Sequence, residues 1–333
     1  DGIHSRPGPR QAERAVSASE RSGVDGIHSR PGPRDPVLIT GATGGLGRAA
    51  ALALAKRGWP LWVGGRRTEA VQEVVEEVRA LGVEAQPFVA DLGRLGEVRS
   101  ACRELKAPLR GIVCNAGITT TKDARSADGF ELTFAVNVLA HQLILNELGP
   151  QLREGGRVVI VASGVHDPEN RLARRFGIPI PKWVGVEAMA RPDDAPADLQ
   201  IPPGPHRYSN SKLANVLQAR ALQDSLRAEK RSIDVFALDP GLMVDTDLAR
   251  EVPGPLRGVF RAVGRLVTPW VDNMRLSTVS AEHVAALVDD GTWAGRGFAY
   301  LDGDEARPPS PDAQRADYAA ALWRDASELV TAT

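Results

Sequence analysis

Short apolar runs alternate with longer helical patterns from residue 36 onward, and this alternation constrains the fold more than any other feature of the chain. Strands are predicted at 36–40, 61–65, 83–90, 111–114, 157–162, 233–238 and 298–301. Helices are predicted at 45–58, 68–81, 130–148, 208–229 and 281–289. Apolar strands that alternate with helices are typical of a parallel sheet covered on both faces. The pattern therefore predicts an α/β fold, in which a single doubly wound domain contains a central parallel sheet.

Two of these elements differ in how clearly the sequence marks them. Segment 68–81 places Val71, Val74, Val75 and Val78 on one face of a helix. Strand 83–90 contains Pro87, which cannot donate to a strand ladder and weakens that prediction.

Charge and cysteine content exclude several classes of protein. The 333 residues include 41 basic and 42 acidic side chains, a net charge of -1, so no long-range field draws the chain to nucleic acid or to an anionic membrane. Cys102 and Cys114 are the only cysteines and are typical of buried thiols in a reducing compartment. No apolar run reaches the roughly 20 residues of a membrane span. We expect a cytoplasmic protein with a small-molecule partner and no nucleic-acid partner.

Residues 1–10 and 25–34 carry the same ten letters, DGIHSRPGPR. Two short copies are too few to build a repeat fold. The segment lacks the apolar stretch of a signal peptide, and its acidic residues are uncommon in transit peptides. We therefore expect residues 1–34 to be disordered or to precede the native start, and we place the domain at 35–333.

A glycine-rich segment lies between the first predicted strand and the first predicted helix. Glycines at such a junction let the backbone approach a pyrophosphate, while free N–H groups at the helix N-terminus face the anion. The spacing is not G-x-G-x-x-G, and the alternative is a turn that binds no ligand. The predicted nucleotide contacts of this Rossmann-type unit are Thr40, Gly41, Thr43, Gly45, Leu46 and Gly47.

The end of the second predicted strand indicates which dinucleotide binds. An NAD site usually has an acidic residue there for the ribose 2′-OH, whereas this chain has Gly64-Gly65-Arg66-Arg67. Guanidinium groups match phosphate oxygens, so Arg66 is predicted to bind the 2′-phosphate of NADP. Arg67 or Arg48 is a candidate second contact, and the alternative is a solvated basic turn.

Three side chains form a candidate catalytic group. Tyr208 and Lys212 are four positions apart, which places the phenol and the ammonium on the same face of a helix. Because a nearby cation lowers the pKa of a phenol, Tyr208 is predicted to exchange a proton near neutral pH. Ser163 follows strand 157–162, at the edge where side chains meet ligand, and is predicted to hydrogen-bond the reacting oxygen. The alternative is that Ser163 is only a turn former or a helix cap.

Seven motifs occur in a fixed order, namely Thr40–Gly47, Asp91-Leu92, Asn115-Ala116-Gly117, Asn137, Ser163, Tyr208-x-x-x-Lys212 and Pro240-Gly241. In this order they resemble the short-chain dehydrogenase/reductase family over residues 37–330. The glycine spacing also satisfies the T-G-x-x-G-x-x-G pattern of the larger epimerase and dehydratase branch. The Asn-Ala-Gly motif and the 125 residues after Tyr208 favour the shorter, single-domain branch.

The resemblance implies an NADP-dependent oxidoreductase that moves a hydride between the nicotinamide and a carbonyl or alcohol carbon, such as a carbonyl reductase. Tyr208 would be the general acid in reduction and the base in oxidation, while Ser163 would hold the substrate oxygen. Lys212 would bind the nicotinamide ribose and lower the pKa of Tyr208. Asn137 would support a proton relay through water.

The resemblance also implies further cofactor contacts and an oligomeric state. Asp91 and Leu92 would meet the adenine ring, and Asn115, Ala116 and Gly117 would line the cofactor. Pro240 and Gly241 would border the nicotinamide, and the protein would be a monomer or a homodimer. The rival interpretation is a catalytically inactive NADP-binding protein for redox sensing or scaffolding, which would be expected to lack the Tyr, Lys or Ser that this chain retains.

The spacing of the catalytic group leaves room for an insertion at 167–206. Ser163 and Tyr208 lie 45 positions apart, an excess that resembles retinol-dehydrogenase-like and protochlorophyllide-reductase-like members. The Cys that typically follows Pro-Gly in the latter is missing. The insertion holds eight of the 24 prolines, together with Trp183 and Met189, and is predicted to shape the substrate pocket. The alternative is a surface excursion without ligand contact.

A second variable segment follows Pro240-Gly241. Residues 256–267 combine an apolar stripe with Arg257, Arg261 and Arg265 at intervals of four. We expect a basic amphipathic helix that packs on its own domain and gives no stable membrane anchoring, and the alternatives are a helix that lies on a membrane or covers the active site.

Overall fold

The computed structural model describes residues 34–175, 177–243 and 274–333, and the centre of the described part is an eight-stranded sheet. The strands are β1 Val37–Ile39, β2 Leu61–Gly65, β3 Ala85–Val89, β4 Leu109–Cys114, β5 Leu152–Val161, β6 Asp234–Asp239, β7 Leu242–Met243, β8 Met274–Arg275, β9 Phe298–Asp302 and β10 Glu305–Arg307. Their order in the sheet is β10-β9-β6-β5-β4-β1-β2-β3, and all neighbours are parallel except β9 and β10. Strands β7 and β8 form a separate short pair.

Helices cover both faces of this sheet. Those described are α1 Gly45–Lys56, α2 Thr68–Ala80, α3 Leu95–Glu104, α4 Leu132–Phe134, α5 Ala140–Leu148, α6 Arg171–Arg175, α7 Val186–Ala190, α8 Pro205–Ala228, α9 Ser277–Asp289 and α10 Ala316–Ala332. A π-helical turn, Ala135–Leu139, joins α4 to α5. Helices α1, α2 and α9 pack on one face, and α3, α5, α8 and α10 pack on the other. The predicted doubly wound α/β fold is confirmed.

The central strands show why the chain needs two layers of helices. Successive side chains of a strand point to opposite faces, so Leu38 enters one core while Val37 and Ile39 enter the other, and all three are fully buried. The four valines predicted on one face of α2 are likewise buried. Burial of apolar area on both faces, worth about 25 cal/mol per Å², drives this packing.

The structure also resolves or extends several sequence predictions. Strand β3 lies at the edge of the sheet, where Pro87 removes no essential ladder bond. Helix α3, helix α10 and strand β10 were not predicted, and β5 begins at Leu152 rather than at 157. The predicted helix at 256–267 lies outside the described residues, as do residues 1–33 of the segment 1–34 that carries the duplication. Among the described helices, none combines the length and hydropathy that a bilayer crossing requires.

Strand β1 lies between β4 and β2. The chain places β2 and β3 on one side of β1 and then crosses over to place β4 on its other side. In a doubly wound sheet the connections diverge at this switch point and leave a crevice at the carboxyl ends of the strands. The fold therefore places the segments that follow β1, β2, β4, β5 and β6 around one opening.

Candidate active site

A cleft of about 1110 Å³ opens at the carboxyl ends of these strands. It is lined by Ser163 and by every residue for which a cofactor contact is predicted from the sequence, except the candidate second contact Arg48. Asn137 is not in the cleft wall and lies behind it, fully buried. The tertiary structure thus gathers motifs that are up to 201 positions apart, from Thr40 to Gly241, into one site.

The glycine turn after β1 has a backbone that only glycine can provide. Gly41 has φ +65°, and a Cβ at Gly47 would lie 2.2 Å from the carbonyl oxygen of Gly41. At the end of β2, a Cβ on Gly65 would lie 2.6 Å from Thr43 Cγ2. Gly44 precedes α1 and has no side chain to cap it. The turn therefore presents bare backbone and a helix N-terminus to the cleft, an arrangement suited to a pyrophosphate.

Thr40 joins this turn to the end of β4. Its Oγ1 accepts from the backbone N–H groups of Asn115 and Ala116, each at 3.0 Å. Asn115 Nδ2 returns a hydrogen bond to the carbonyl oxygen of Thr40 at 2.8 Å. These bonds connect the turn after β1 to the segment after β4 at the switch point.

Arginines beyond β2 provide positive charge at one end of the cleft. Arg66 and Arg67 line the cleft and are exposed, and neither side chain has a hydrogen-bond or ion-pair partner in the described part of the chain. Arg48, in contrast, pairs with Glu77 of α2 through contacts of 2.6 and 3.1 Å and is not in the cleft wall. This corrects the suggestion that Arg48 is a second phosphate contact, because packing of α1 on α2 directs its guanidinium elsewhere.

Ser163 and Tyr208 meet in the cleft beyond β5. The Tyr208 hydroxyl is hydrogen-bonded to Ser163, and the Ser163 Oγ also accepts from the N–H of Val165 at 3.4 Å. The serine therefore caps the turn after β5 and contacts the tyrosine at the same time. Burial, and secondly the charge of Asp239, raise the pKa of Tyr208 above its usual range, while the bond to Ser163 opposes them. The sequence prediction that this pKa is lowered is thus not what the structure shows.

Lys212 lies under the tyrosine ring, with its Nζ 5.7 Å from the ring centroid. The buried ammonium donates to the carbonyl oxygen of Val161 at 2.8 Å and to Asn215 Oδ1 at 3.3 Å. Burial lowers the pKa of Lys212 to about 8, and the carboxylate of Asp239 partly offsets this effect. The lysine is therefore held by β5 and by its own helix, one turn below the tyrosine.

Asn137 lies in the π-helical turn between α4 and α5 and links three parts of the site. Its Oδ1 accepts from the N–H of Ile118 at 2.8 Å, and its Nδ2 donates to Ile118 O at 3.0 Å and to Ser211 Oγ at 2.9 Å. Its carbonyl oxygen accepts from Asn215 Nδ2 at 2.7 Å and from His141 Nδ1 at 3.1 Å. A π-helical turn frees backbone groups for such contacts.

Two buried histidines of the site were missed in the sequence. His141 bridges the Asn137 carbonyl to Thr40 Oγ1, 3.0 Å from its Nε2, and burial lowers its pKa to about 4. His166 donates to the Ser163 carbonyl at 2.8 Å and accepts from the N–H of Ser310 at 3.2 Å. The spacing Asn137-x-x-x-His141 places both residues on one helical face and is the signal that could have shown the first bridge.

The insertion at 167–206 contributes one wall of the cleft and part of the core. Its cleft-lining residues are Asn170, Leu172, Ala173 and Ile178. Farther along, Met189 is buried, and Trp183 stacks on Tyr318 of α10 with ring centroids 5.3 Å apart. The two large side chains noted in the sequence therefore anchor the insertion and do not reach the cleft.

Comparison with known proteins agrees with this architecture. The family model described as short chain dehydrogenase matches residues 35–171. A polyprenol dehydrogenase of Mus musculus is 33% identical, aligned over 89% of this chain and 83% of its own length. Retinol dehydrogenase 13 of Mus musculus is 28% identical over 88% of this chain and 83% of its own. A short chain dehydrogenase from Burkholderia cenocepacia, crystallised in complex with NADP, is 25% identical with a TM-score of 0.58, covering 81% of this chain and 96% of its own. This chain therefore belongs to the short-chain dehydrogenase family, as the order of its motifs predicts.

Proposed function

We propose that this chain is an NADPH-dependent oxidoreductase that moves a hydride between the nicotinamide and a carbonyl or alcohol carbon. One observation carries the proposal, namely that a single cleft is lined by the glycine turn, by Arg66 and by the group of Ser163, Tyr208 and Lys212. The similar Burkholderia cenocepacia protein, whose structure contains NADP, supports the choice of cofactor.

The residues of the cleft fit a dinucleotide that carries a 2′-phosphate. The bare backbone of the glycine turn and the N-terminus of α1 would hold the pyrophosphate. Arg66 has no competing partner among the described residues and would pair with the 2′-phosphate. Asp91 lines the cleft beyond β3, where it would meet the adenine ring, and Pro240 and Gly241 would border the nicotinamide. Bound NADPH supplies the hydride.

The catalytic group would then hold the substrate oxygen, transfer the proton and stabilise the charge that develops. Ser163 and Tyr208 share a hydrogen bond, so both hydroxyls are placed to hold one oxygen atom. Tyr208 is protonated at neutral pH and can donate that proton to a carbonyl oxygen, although burial raises its pKa and makes the donation harder. Lys212 provides a positive charge beneath the ring that stabilises the phenolate left after proton transfer. Asn137 would act by joining the Asn115 to Ile118 segment to α8.

The wall contributed by the insertion points to an apolar substrate. Leu172, Ala173 and Ile178 face the cleft from the insertion, and Leu242 and Met243 face it from the segment after β6. Apolar surface of this kind binds substrate through area removed from water. The names of the polyprenol and retinol dehydrogenases describe apolar alcohols, which supports the same substrate class for this chain.

The first prediction tests the proposed reaction. We expect the wild-type protein to consume NADPH with apolar aldehydes or ketones from a panel that also contains polar carbonyl compounds. Tyr208→Phe keeps the ring but removes the proton donor, so kcat should fall about 10²–10⁴-fold while the Kd for NADPH stays within about threefold. The measurement is NADPH absorbance during turnover, together with fluorescence titration for binding. Turnover of Tyr208→Phe within about threefold of wild type would remove Tyr208 from the mechanism, and NADPH binding without any turnover by wild type would favour the redox-sensing or scaffolding alternative.

A further inference from the structure

Asn215 on helix α8 contacts both the lysine and the π-helical turn of the site. Its Oδ1 accepts from the Lys212 ammonium at 3.3 Å, and its Nδ2 donates to the carbonyl oxygen of Asn137 at 2.7 Å. The side chain is fully buried, with 1% of its surface exposed. It lies three positions after Lys212, so one turn of α8 carries both groups.

The chemistry of the two partners fixes the orientation of this amide. An ammonium can only donate, so it must face Oδ1, and a carbonyl oxygen can only accept, so it must face Nδ2. Both requirements are met by the same orientation, and the reverse orientation would satisfy neither. The amide dipole thus places its negative end on the Lys212 ammonium.

The Asn137 carbonyl oxygen has both of its lone pairs occupied by protein groups. One accepts from Asn215 Nδ2, and the other accepts from His141 Nδ1. Because a carbonyl oxygen can only accept, the proton of the neutral His141 ring must be on Nδ1. Nε2 is then left to accept from the Thr40 hydroxyl. Lys212 and Asn137 are therefore linked through the side-chain amide of Asn215.

We propose that Asn215 is a positioning residue that holds the charged Lys212 in place by bridging its ammonium to the Asn137 carbonyl. The assignment rests on the proposed function, since it concerns the lysine of that site. Asn215 acts through Lys212 and has no place in the cleft wall that the structure describes. The bridge fixes the position of the Lys212 ammonium and places an acceptor on it.

The proposal gives Asn215 a distinct effect on the titration of Lys212. Among the described residues, the ionisable groups that face this ammonium are Tyr208 on the same helix, Asp239 at the end of β6 and the neutral His141 of α5. Removing the Oδ1 acceptor destabilises the charged amine and lowers its pKa. Replacing the amide by a carboxylate stabilises the charged amine and raises its pKa.

The test compares Asn215→Ala and Asn215→Asp with wild type. The alkaline limb of the kcat profile for carbonyl reduction should move to lower pH in Asn215→Ala and to higher pH in Asn215→Asp, each by about half a pH unit or more. Because a lysine that is no longer held supports the phenolate less well, kcat at neutral pH should fall about tenfold in Asn215→Ala. Carbon-13 NMR of the lysine ε-carbons, assigned with Lys212→Arg, measures the same midpoints without any turnover.

Asn210→Ala is the matched control. Asn210 is buried on the same helix and makes two amide hydrogen bonds, to the N–H and the carbonyl of Lys182 at 3.0 and 2.8 Å, but none to Lys212. It should lower the melting temperature as Asn215→Ala does, without moving the Lys212 midpoint. This comparison separates loss of buried hydrogen bonds from loss of the lysine contact.

The outcomes separate this proposal from the proposed function. Opposite movements of the NMR midpoint in the two Asn215 variants support the bridge, even when wild type shows no turnover and the proposed function fails. Unmoved midpoints, or movement in one direction in both variants, overturn the bridge even when Tyr208→Phe abolishes turnover as expected. When Asn215→Asp does not fold, Asn215→Ala alone is decisive, because its midpoint must fall.

Discussion

Arg66 is the residue on which the proposed cofactor preference depends. It lines the cleft, is exposed, and has no partner among the described residues, so its guanidinium can meet a phosphate at little cost. The 2′-phosphate is the only difference between NADPH and NADH, and a charge-assisted hydrogen bond contributes about 1.5–3 kcal/mol. We therefore expect Arg66→Ala to raise the KM for NADPH about 10- to 150-fold and to leave NADH almost unaffected. The measurement is kcat/KM for both cofactors in wild type and variant.

Arg48→Ala is the control for this prediction. Its guanidinium is engaged by Glu77, so the NADPH preference should stay within about threefold of wild type. Arg67 lies beside Arg66 at the cleft, and the double variant should cost more than either single one when both arginines share the phosphate. Equal losses for NADPH and NADH in Arg66→Ala, or a wild-type preference for NADH, would contradict the assignment.

At the scale of elements, the insertion divides into a cleft wall and an anchor. Its first part lines the cleft through Leu172 and Ile178, while its later part packs through Val186 and Met189 into the core. Deleting the whole segment would therefore expose core residues as well as change the pocket. Single substitutions at the cleft wall separate substrate selection from stability.

Ile178 and Ile180 provide a matched pair for this purpose. Ile178 lines the cleft, whereas Ile180 is 61% exposed. Ile178→Ala removes about three carbons from the substrate contact, and each carbon contributes about 0.8 kcal/mol when it is fully buried. The KM of this variant for an apolar substrate should therefore rise by up to about 50-fold. Ile180→Ala should leave it within about twofold, and both variants should keep the wild-type KM for NADPH. Steady-state kinetics with long-chain and short-chain aldehydes check this, and equal effects of the two variants would refute a substrate role for the wall.

Helix α8 is the element that concentrates the chemistry. It carries Tyr208 and Lys212 toward the cleft, and Asn215 and Asn210 toward neighbouring segments. Most of its residues from Ser209 to Leu222 are buried, because it packs between the sheet and helix α10. Such burial holds the side chains of the site in fixed rotamers, which a surface helix could not do.

For the whole molecule, the buried histidines predict loss of stability in acid. Burial lowers the pKa of His141 from 6.5 to about 4, so between these values the unfolded chain binds a proton that the folded chain does not. Stability is therefore present above pH 6.5 and falls as pH drops towards 4, by about 3 kcal/mol for this group. Urea unfolding of wild type and His141→Gln at pH 7 and near pH 4.5 measures the difference in slope.

His206 is the control for the acid prediction because it is exposed. His206→Gln makes the same chemical change at this exposed position. His166 is also buried, and burial lowers its pKa too, so some acid sensitivity should remain in His141→Gln. Identical pH slopes for wild type and His141→Gln would contradict the prediction.

The sequence by itself determined the fold class and the residues that line the cleft at the glycine turn, at Arg66 and at Ser163, Tyr208 and Lys212. Apolar runs of strand length alternating with helical patterns leave a doubly wound sheet as the simple way to bury both faces. The order of the motifs identified the family, and the positions of the glycine turn, Ser163, Tyr208 and Lys212 follow from local spacing. Helix α10 was missed, although its buried Ala319, Leu322 and Ala326 have helical spacing that the sequence shows.

Only the tertiary structure decided which partner each polar group meets. The Arg48 guanidinium pairs with Glu77 and not with the cleft because α1 packs on α2. The pKa of Tyr208 is raised because burial outweighs the bond to Ser163. The bridge from Lys212 through Asn215 to Asn137 spans 78 positions between its last two residues, and no local pattern encodes such a contact. Pairing and desolvation depend on distances between elements that are far apart along the chain, which hydrophobic periodicity does not specify.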